Sequence, residues 1–368
     1  MRGLAAGREN DFGEFGLFGR PGTDEFWATA GAPASVPADA GGWVTLFLWR
    51  GSEASIAFES WSEPVPLRRW GDTDCWYAEV PMPERLRVTY QFMVGDAAYG
   101  DPFNPVAAGG DRSVAATPDA PAQPHWPVLG PGTDVVLPLP RTRIRWAGER
   151  LGGRRTVRVH PVGGGGPVVL LLDGDDWLYL HPAMTAFESA VAAGEMPAVT
   201  LVFVPAGDRE AEFACRPELW QGIRDELLPL VAESGVHADL DRLVVAGQSL
   251  GGLSALYAAL EFPELVSRVA CQSGSFWWGP GVLESADPLG GPVGGAIAER
   301  LRAAVDLSGL RVAFDVGEHE TRMLPHCELA ETLAERAGAT VRVSRSASGH
   351  DRAGWRHALL RDVAWVLG

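Results

Sequence analysis

Leu243-Val244-Val245-Ala246-Gly247-Gln248-Ser249-Leu250-Gly251-Gly252-Leu253 is the stretch that decides the fold. An apolar run enters a G-x-S-x-G turn, and a helical run from Leu253 to Leu260, closed by Pro263, follows it. This is the strand–turn–helix pattern of a nucleophile elbow. A serine hydroxyl stands clear of the backbone only on a sharp turn with strained dihedrals. Strand and helix then approach closely, and Gly247 and Gly251 are expected to remove Cβ atoms that would collide there. The backbone N–H of Leu250 opens the helix and faces outward, as a donor to a developing oxyanion must.

At 368 residues the chain exceeds one ordinary domain, and two are expected. The net charge of −16 argues against general nucleic-acid binding, and all 31 basic residues are arginine. Cys75, Cys215, Cys271 and Cys327 are scattered, so neither a disulfide framework nor a zinc site is expected, and no metal or cofactor is called for. Residues 1–10 contain no apolar leader segment and no run reaches about 18 apolar residues, so neither secretion nor a membrane span is expected. A cytoplasmic, reducing setting is the expectation, with the chain a monomer or homodimer.

Residues 1–42 read as loosely ordered, with a strand near Phe26-Trp27-Ala28. Period-two alternation then marks strands at Trp43–Arg50, Ser55–Phe58, Cys75–Val80 and Leu86–Val94. Short strands between Gly/Pro/Asp clusters predict an immunoglobulin-like β-sandwich whose aromatics form its core. Asp101-Pro102-Phe103-Asn104-Pro105 closes it, and Ala107 to Pro131 reads as a linker by composition. The expected domains are therefore 1–125, sandwich plus linker, and 126–368, catalytic.

From Arg155 onward strands and helices alternate, the βαβ signature of a mostly parallel sheet with helices on both faces. With the elbow, this predicts an α/β-hydrolase domain. Strands are expected at Arg155–His160, Pro167–Leu172, Ala198–Val204, Leu243–Ala246, Arg268–Ser273, Leu310–Val316 and Thr340–Ser344. Helical runs are expected at Pro217–Glu233, His326–Ala337 and Gly354–Leu367.

Functional side chains in such sheets gather at the carboxyl ends of the strands. A serine hydroxyl needs a base to take its proton and an acid to orient the base, in the chain order Ser, acid, His. His350, between the last strand and the last helix, is the candidate base. His326 and His357 fall in helical runs and read as surface histidines, and His319 lies in the acid's loop. Glu318 and Glu320 both qualify as the acid, and a Ser-His dyad without one is the third arrangement. Asp315 lies inside a strand, and Asp351 adjoins His350 too closely to support it. The second oxyanion donor is expected from Asp173-Gly174-Asp175-Asp176, with Gly174 letting the backbone approach the substrate and Asp175 or Asp176 donating its N–H.

The chain resembles the enterochelin esterases, cytoplasmic enzymes that hydrolyse ferric tricatecholate siderophores. The residues that carry the resemblance are Phe47-Leu48-Trp49-Arg50, Tyr90-Gln91-Phe92, Asp101 to Pro105, Leu171 to Trp177, Arg209, Glu212, Glu226-Leu227-Leu228-Pro229 and Val245 to Tyr257. Gln272-Ser273-Gly274-Ser275-Phe276-Trp277-Trp278 and Gly349-His350-Asp351 with Trp355-Arg356 complete them. The resemblance implies a serine esterase that cuts the serine-ester backbone of an iron-loaded siderophore. The family's Gly-x-x-Glu pattern aligns Gly317 with Glu320 and so favours Glu320 as the acid. The chain departs from the family at Arg216, usually Asn, and at Ser348, commonly Gly. An anionic iron–catecholate calls for arginines and aromatic walls. Arg209, Arg216, Arg322 and Arg352, with Trp177, Trp277, Trp278 and Trp355, are the candidates, and Glu212 joins them by resemblance alone. The alternative is a feruloyl or acyl-carbohydrate esterase whose sandwich binds carbohydrate. A third reading is a binding protein with an inactive hydrolase domain.

Overall fold

A computed structural model describes residues 12–368, apart from 60, 62, 105, 107–110, 129–137, 283–284, 286 and 305. Residues 1–11, Pro105 and the remaining parts of the expected linker at 107–110 and 129–131 lie outside the described residues. The chain divides into two compact units, the first running to Pro121 and the second taking in 122–127 and the described chain from 138 onward.

The first unit holds antiparallel strands β1 (Ala34–Pro37), β2 (Trp43–Arg50), β3 (Ser55–Phe58), β4 (Val65–Pro66), β5 (Arg68–Arg69), β6 (Cys75–Met82), β7 (Arg87–Val94), β8 (Ala97–Tyr99) and β9 (Ser113–Ala116). They form two sheets, β1-β2-β6-β5 and β4-β3-β7-β8 with β9 added on β7. Alternate side chains meet in one core, where the ring of Phe47 lies 5.5 Å from Phe58 and 4.9 Å from Tyr90. Two expectations change here. Phe26-Trp27 is not a strand but part of helix α1 (Asp24–Thr29), because Thr23 caps it, accepting from the Phe26 N–H at 3.3 Å, and Asp24 and Glu25 fill its first turn. Ser113–Ala116 lies in the expected linker yet pairs with β7, held by the Asp101 N–H donating to Ser113 Oγ at 2.9 Å. Its small residues carry no alternation to read.

The second unit is built on one eight-stranded sheet, β10-β11-β13-β12-β14-β15-β16-β17. The strands are β10 (Thr142–Trp146), β11 (Arg155–Val162), β12 (Gly166–Leu172), β13 (Val199–Val204), β14 (Ala238–Gln248), β15 (Arg268–Gln272), β16 (Arg311–Gly317) and β17 (Thr340–Ser346). From β13 to β17 the neighbours in that order run parallel, and β11 and β10 are antiparallel additions at one edge. The helices are α2 (Ala183–Ala192), α3 (Arg209–Phe213), α4 (Pro217–Gly222), α5 (Leu228–Glu233), α6 (Leu250–Glu261), α7 (Ala296–Ala303), α8 (Leu324–Arg336) and α9 (Arg352–Leu367).

The unbroken apolar run of β12 follows from this layering. Val168, Leu170 and Leu172 belong to the core cluster on the face that carries α4, α6 and α7, while Val169 and Leu171 belong to the cluster on the other face with Phe187 of α2 and Leu359 of α9. The expected helical run from Pro217 to Glu233 is interrupted by a π-helical turn at Ile223–Leu227, just ahead of Pro229, which has no N–H to continue an α-helical ladder. His326, expected at the surface, is buried in α8, and its Nδ1 accepts from the Gly294 N–H at 3.0 Å.

Candidate active site

Ser249 sits between β14 and α6 with φ 55° and ψ −121°, a conformation that costs on the order of 1–3 kcal/mol for a residue with a Cβ. Neighbouring backbone holds it there. Its N–H donates to the Gln272 carbonyl at 3.0 Å, and its own carbonyl accepts from Leu253 and Ser275, each at 3.0 Å. A Cβ on Gly247 would fall 2.2 Å from the Gly251 carbonyl oxygen, so glycine is obligatory at 247. The second tight position is not Gly251, whose added Cβ would meet nothing closer than 3.5 Å. It is Gly252, where a Cβ would lie 2.9 Å from Cys271 Sγ and 3.0 Å from Gly274 Cα.

The parallel register puts the ends of β14, β15, β16 and β17 on one rim, so the loops that follow them face the same side as Ser249. The loop after β16 carries Glu320 and the loop after β17 carries His350, whose Nδ1 lies 2.7 Å from Glu320 Oε2. The Glu320 side chain is 2% exposed, whereas Glu318, two residues earlier, lies at the surface. Glu320 Oε1 accepts from Ser273 Oγ at 2.5 Å and from the Gly317 N–H at 2.9 Å. Ser273 Oγ in turn accepts from Trp355 Nε1 at 2.8 Å, and the His350 ring stands edge-on to Trp355 with centroids 4.9 Å apart. The imidazole is thus fixed from two sides while remaining partly open to solvent. Asp315 is buried and accepts from Ser344, Ser346 and Arg361, and Asp351 caps α9 through the Ala353 N–H.

Leu250 is the first residue of α6, so its N–H has no carbonyl one turn back within the helix. In the loop after β12, the Asp173 carbonyl accepts from the N–H groups of Asp176 and Trp177, and neither bond uses the N–H of Asp175. Asp175 is exposed at this rim. Gly174 also has a packing reason for being glycine. A Cβ there would lie 2.4 Å from the Val204 N and 2.5 Å from the Phe203 carbonyl carbon, so packing on β13 excludes a side chain.

The expected binding residues divide. Trp177 and Trp355 are buried and form no wall; Trp177 Nε1 donates to Gln248 Oε1 at 2.8 Å. Trp277 and Trp278 are half-buried. Arg209 is held by Asp173 through two bonds of 2.8 Å and also donates to the Gln248 carbonyl at 3.2 Å, which ties the Asp173 loop to the elbow. Glu212 is buried and paired with Arg155 by bonds of 2.7 and 2.8 Å. Arg216 donates to the Ala211 carbonyl, Arg322 pairs with Asp287, and Arg352 pairs with Asp176. Each of these charges is already engaged, because each has a carboxylate or carbonyl near it that the order of residues does not disclose.

Sequence reasoning missed Ser273 and Ser275. Ser273 has φ 46° at the end of β15, and Ser275 Oγ lies 3.3 Å from Ser249 Oγ. The available signal was a Ser-Gly-Ser sequence directly after a parallel strand, the position where functional groups collect.

A model of the esterase family, described as “Putative esterase”, matches residues 148–366. The iron(III) enterobactin esterase of Escherichia coli K12 is 32% identical over 77% of this chain and 71% of its own length. That of Dickeya dadantii is 28% identical over 94% of this chain and 93% of its own. Among solved structures, the enterobactin esterase of Shigella flexneri determined in the presence of enterobactin superposes with a TM-score of 0.82 at 26% identity, covering 94% of this chain and 98% of that one.

Proposed function

We propose, for a chain that belongs to the iron(III) enterobactin esterase family, that Ser249, His350 and Glu320 carry out the ester hydrolysis. The chain is a serine carboxylic-ester hydrolase, and its substrate is the serine-ester backbone of a ferric catecholate siderophore such as ferric enterobactin. The observation that carries the catalytic assignment is the 2.7 Å contact of His350 with buried Glu320, on the rim where the elbow presents Ser249.

With Nδ1–H directed at Glu320, Nε2 of His350 is the free acceptor, and it takes the Ser249 proton as Oγ attacks the ester carbonyl. Negative charge grows on the carbonyl oxygen, and the N–H groups of Leu250 and Asp175 receive it. His350 then hands the proton to the departing serine hydroxyl, and water, activated by the same imidazole, releases the acyl group from Ser249. Glu320 orients the ring and offsets the imidazolium charge, and Ser273 and the Gly317 N–H fix Glu320. Trp277 and Trp278 are the apolar walls of this reading, Arg209 and Glu212 support the oxyanion loop and its neighbour, and Arg216 stays a rim contact.

The division into domains 1–125 and 126–368 belongs to the same reading and is supported by the separate hydrophobic clusters of the two units, although residues 122–125 side with the second unit. No helix among the described residues is long and apolar enough to cross a membrane. A cytoplasmic setting is supported by four cysteines that remain free thiols, and the chain acts as a monomer or homodimer. The feruloyl or acyl-carbohydrate alternative is not favoured, because the relatives matched over most of the chain are enterobactin esterases.

The test is hydrolysis of ferric and iron-free serine trilactone followed by mass spectrometry. The wild type is expected to give the linear trimer and shorter products, and Ser249→Ala none. Intact trilactone alongside cleavage of simple acetyl esters would remove the substrate assignment.

A further inference from the structure

At the edge of the catalytic sheet, beside the loop after β12, a cavity of about 790 Å³ is lined by Arg143, Arg145, Arg154, Arg155, Arg158 and Tyr179. The antiparallel register brings these arginines together at the carboxyl rim. Arg143 and Arg145 are two residues apart on β10 and so share a face, and Arg143 stands directly opposite Arg158 on β11. Like charges directly opposite across strands destabilise a sheet, so this placement works against the fold.

The cluster is largely uncompensated. Arg155 is taken up by Glu212, but Arg143, Arg145 and Arg154 are exposed and form no ion pair among the described residues. Arg158 Nε is buried without a hydrogen-bond partner among the described residues, while its Nη1 reaches the Pro140 carbonyl at 3.3 Å and Nη2 the Tyr179 hydroxyl at 3.5 Å. Tyr179 is 45% exposed and offers its ring to the same space. Asp175 is the sole carboxylate in the lining among the described residues. All this occurs in a chain of net charge −16.

We propose that this arginine cleft binds the trianionic iron–tricatecholate end of the substrate and makes the enzyme prefer iron-loaded over iron-free trilactone. The proposal rests on the siderophore-esterase reading. Three catechols that each lose two protons bring six negative charges to a ferric ion of charge three plus, leaving three minus. Iron-free catechols, phenols with pKa values near 10, stay protonated and neutral at pH 7. The three unpaired guanidiniums match the first species and not the second, and guanidiniums and a phenol ring both stack on flat aromatic faces. The position suits a two-point grip. Asp175 belongs to the cleft and to the proposed oxyanion loop, and β11 lies three strand spacings from the elbow strand, roughly 14 Å at about 4.8 Å each. The ester would sit at one end of this span and the metal complex at the other.

The test uses two substrates and one inert probe. The probe is a ferric tricatecholate on an amide scaffold, which has the same charge and no ester to cut, titrated by tryptophan fluorescence at low and high salt. The combined variant Arg143→Gln, Arg145→Gln, Arg154→Gln is expected to weaken probe binding by about tenfold or more, since exposed pairs contribute modestly one at a time. It is also expected to lose most of the salt dependence and to lower the ferric-over-apo ratio of kcat/KM by a similar factor. Lysine at the same three positions keeps the charge and is expected to restore salt-dependent binding. Unchanged probe affinity and salt dependence would overturn the proposal, as would equal losses on ferric and iron-free trilactone. If the arginines govern probe binding but no trilactone is cut, the cleft stands and the esterase reading falls. If trilactone is cut with an arginine-independent ferric preference, the cleft falls and the esterase reading stands.

Discussion

Ser273 bears on the proposed catalytic histidine, His350, through its neighbours. Its hydroxyl donates to Glu320 and accepts from Trp355, so one oxygen fixes both groups that flank His350. Ser273→Ala leaves the Trp355 N–H buried without an acceptor and Glu320 short of a donor, at a stability cost of roughly 1–3 kcal/mol. We expect kcat to fall about tenfold with KM nearly unchanged, because the ring is held less well only during proton transfer; equal changes in both would show that binding had been disturbed instead. Glu320→Gln is expected to lower kcat by on the order of 10² to 10⁴, as loss of the orienting acid does in a triad, whereas Glu318→Gln, at an exposed site, should stay within about twofold. Steady-state kinetics on a single ester separates the two. Position in the chain left Glu318 and Glu320 level, since both lie in one acidic loop, and only the family resemblance favoured Glu320. What distinguishes them is the way the Gly317 turn folds Glu320 inward, and that depends on Ser273, 47 residues away. Ser348 shows the same dependence. A Cβ on Gly354 would lie 2.3 Å from Ser348 Oγ, so a serine at 348 is compatible with the fold because residue 354 is glycine. Gly354→Ala is expected to destabilise by roughly 1–3 kcal/mol, and adding Ser348→Gly should recover most of it. A thermal-denaturation double-mutant cycle giving additive effects would refute this coupling.

Among the elements, the elbow has the sharpest sequence requirement. The strand and helix that flank Ser249 pack so closely that a Cβ on Gly247 would lie 2.2 Å from a carbonyl oxygen, while Gly251 has room for a methyl group in ordinary contact. Gly247→Ala should therefore be destabilised by roughly 3 kcal/mol or more, and Gly251→Ala, inside α6, should match the wild type within about 1 kcal/mol, since alanine is the better helix former. Chemical denaturation of the two variants checks the order; similar losses in both would mean that the turn relaxes more than its geometry implies. The elements that were legible beforehand are those whose burial is regular. β12 and β13 are covered on both faces and read as continuous apolar runs, and β7 alternates because one of its faces is core. Those that were not legible owe their state to single contacts. α1 exists through the Thr23 cap, and β9 through its pairing with β7. The arginines were misjudged for a related reason. Arg209 and Arg322 looked free in their loops, yet Asp173 and Asp287 hold them, while Arg143 and Arg145 lie on β10, a strand the sequence reading did not anticipate.

At the scale of the whole molecule, each unit buries a carboxyl group that sets its response to acid. In the first unit, Asp101 accepts from the Tyr90 hydroxyl at 2.6 Å and from the Phe103 N–H at 2.8 Å, but burial outweighs these bonds and raises its pKa to about 6. In the second, burial raises Asp362 to about 7 against the opposing charge of Arg361, and its Oδ2 has no hydrogen-bond partner among the described residues. A carboxyl whose folded value lies above its unfolded value of 3.8 takes up a proton on folding. Between those two values, stability falls as pH rises, and above the folded value the loss is complete. The two units have separate cores, so their unfolding transitions can be followed individually by calorimetry. Asp101→Asn is expected to flatten the decline of the first unit's midpoint between about pH 4 and 6 and leave that of the second unit in place. Asp362→Asn should flatten the second unit's decline between about pH 4 and 7 and spare the first. The acidic excess of the chain also repels itself less as pH falls, but that effect is common to wild type and variants and cancels in the comparison. Midpoint curves of the variants running parallel to the wild type across about pH 4 to 7 would show that neither carboxyl is protonated in the folded chain, and that the hydrogen bonds and Arg361 outweigh burial after all.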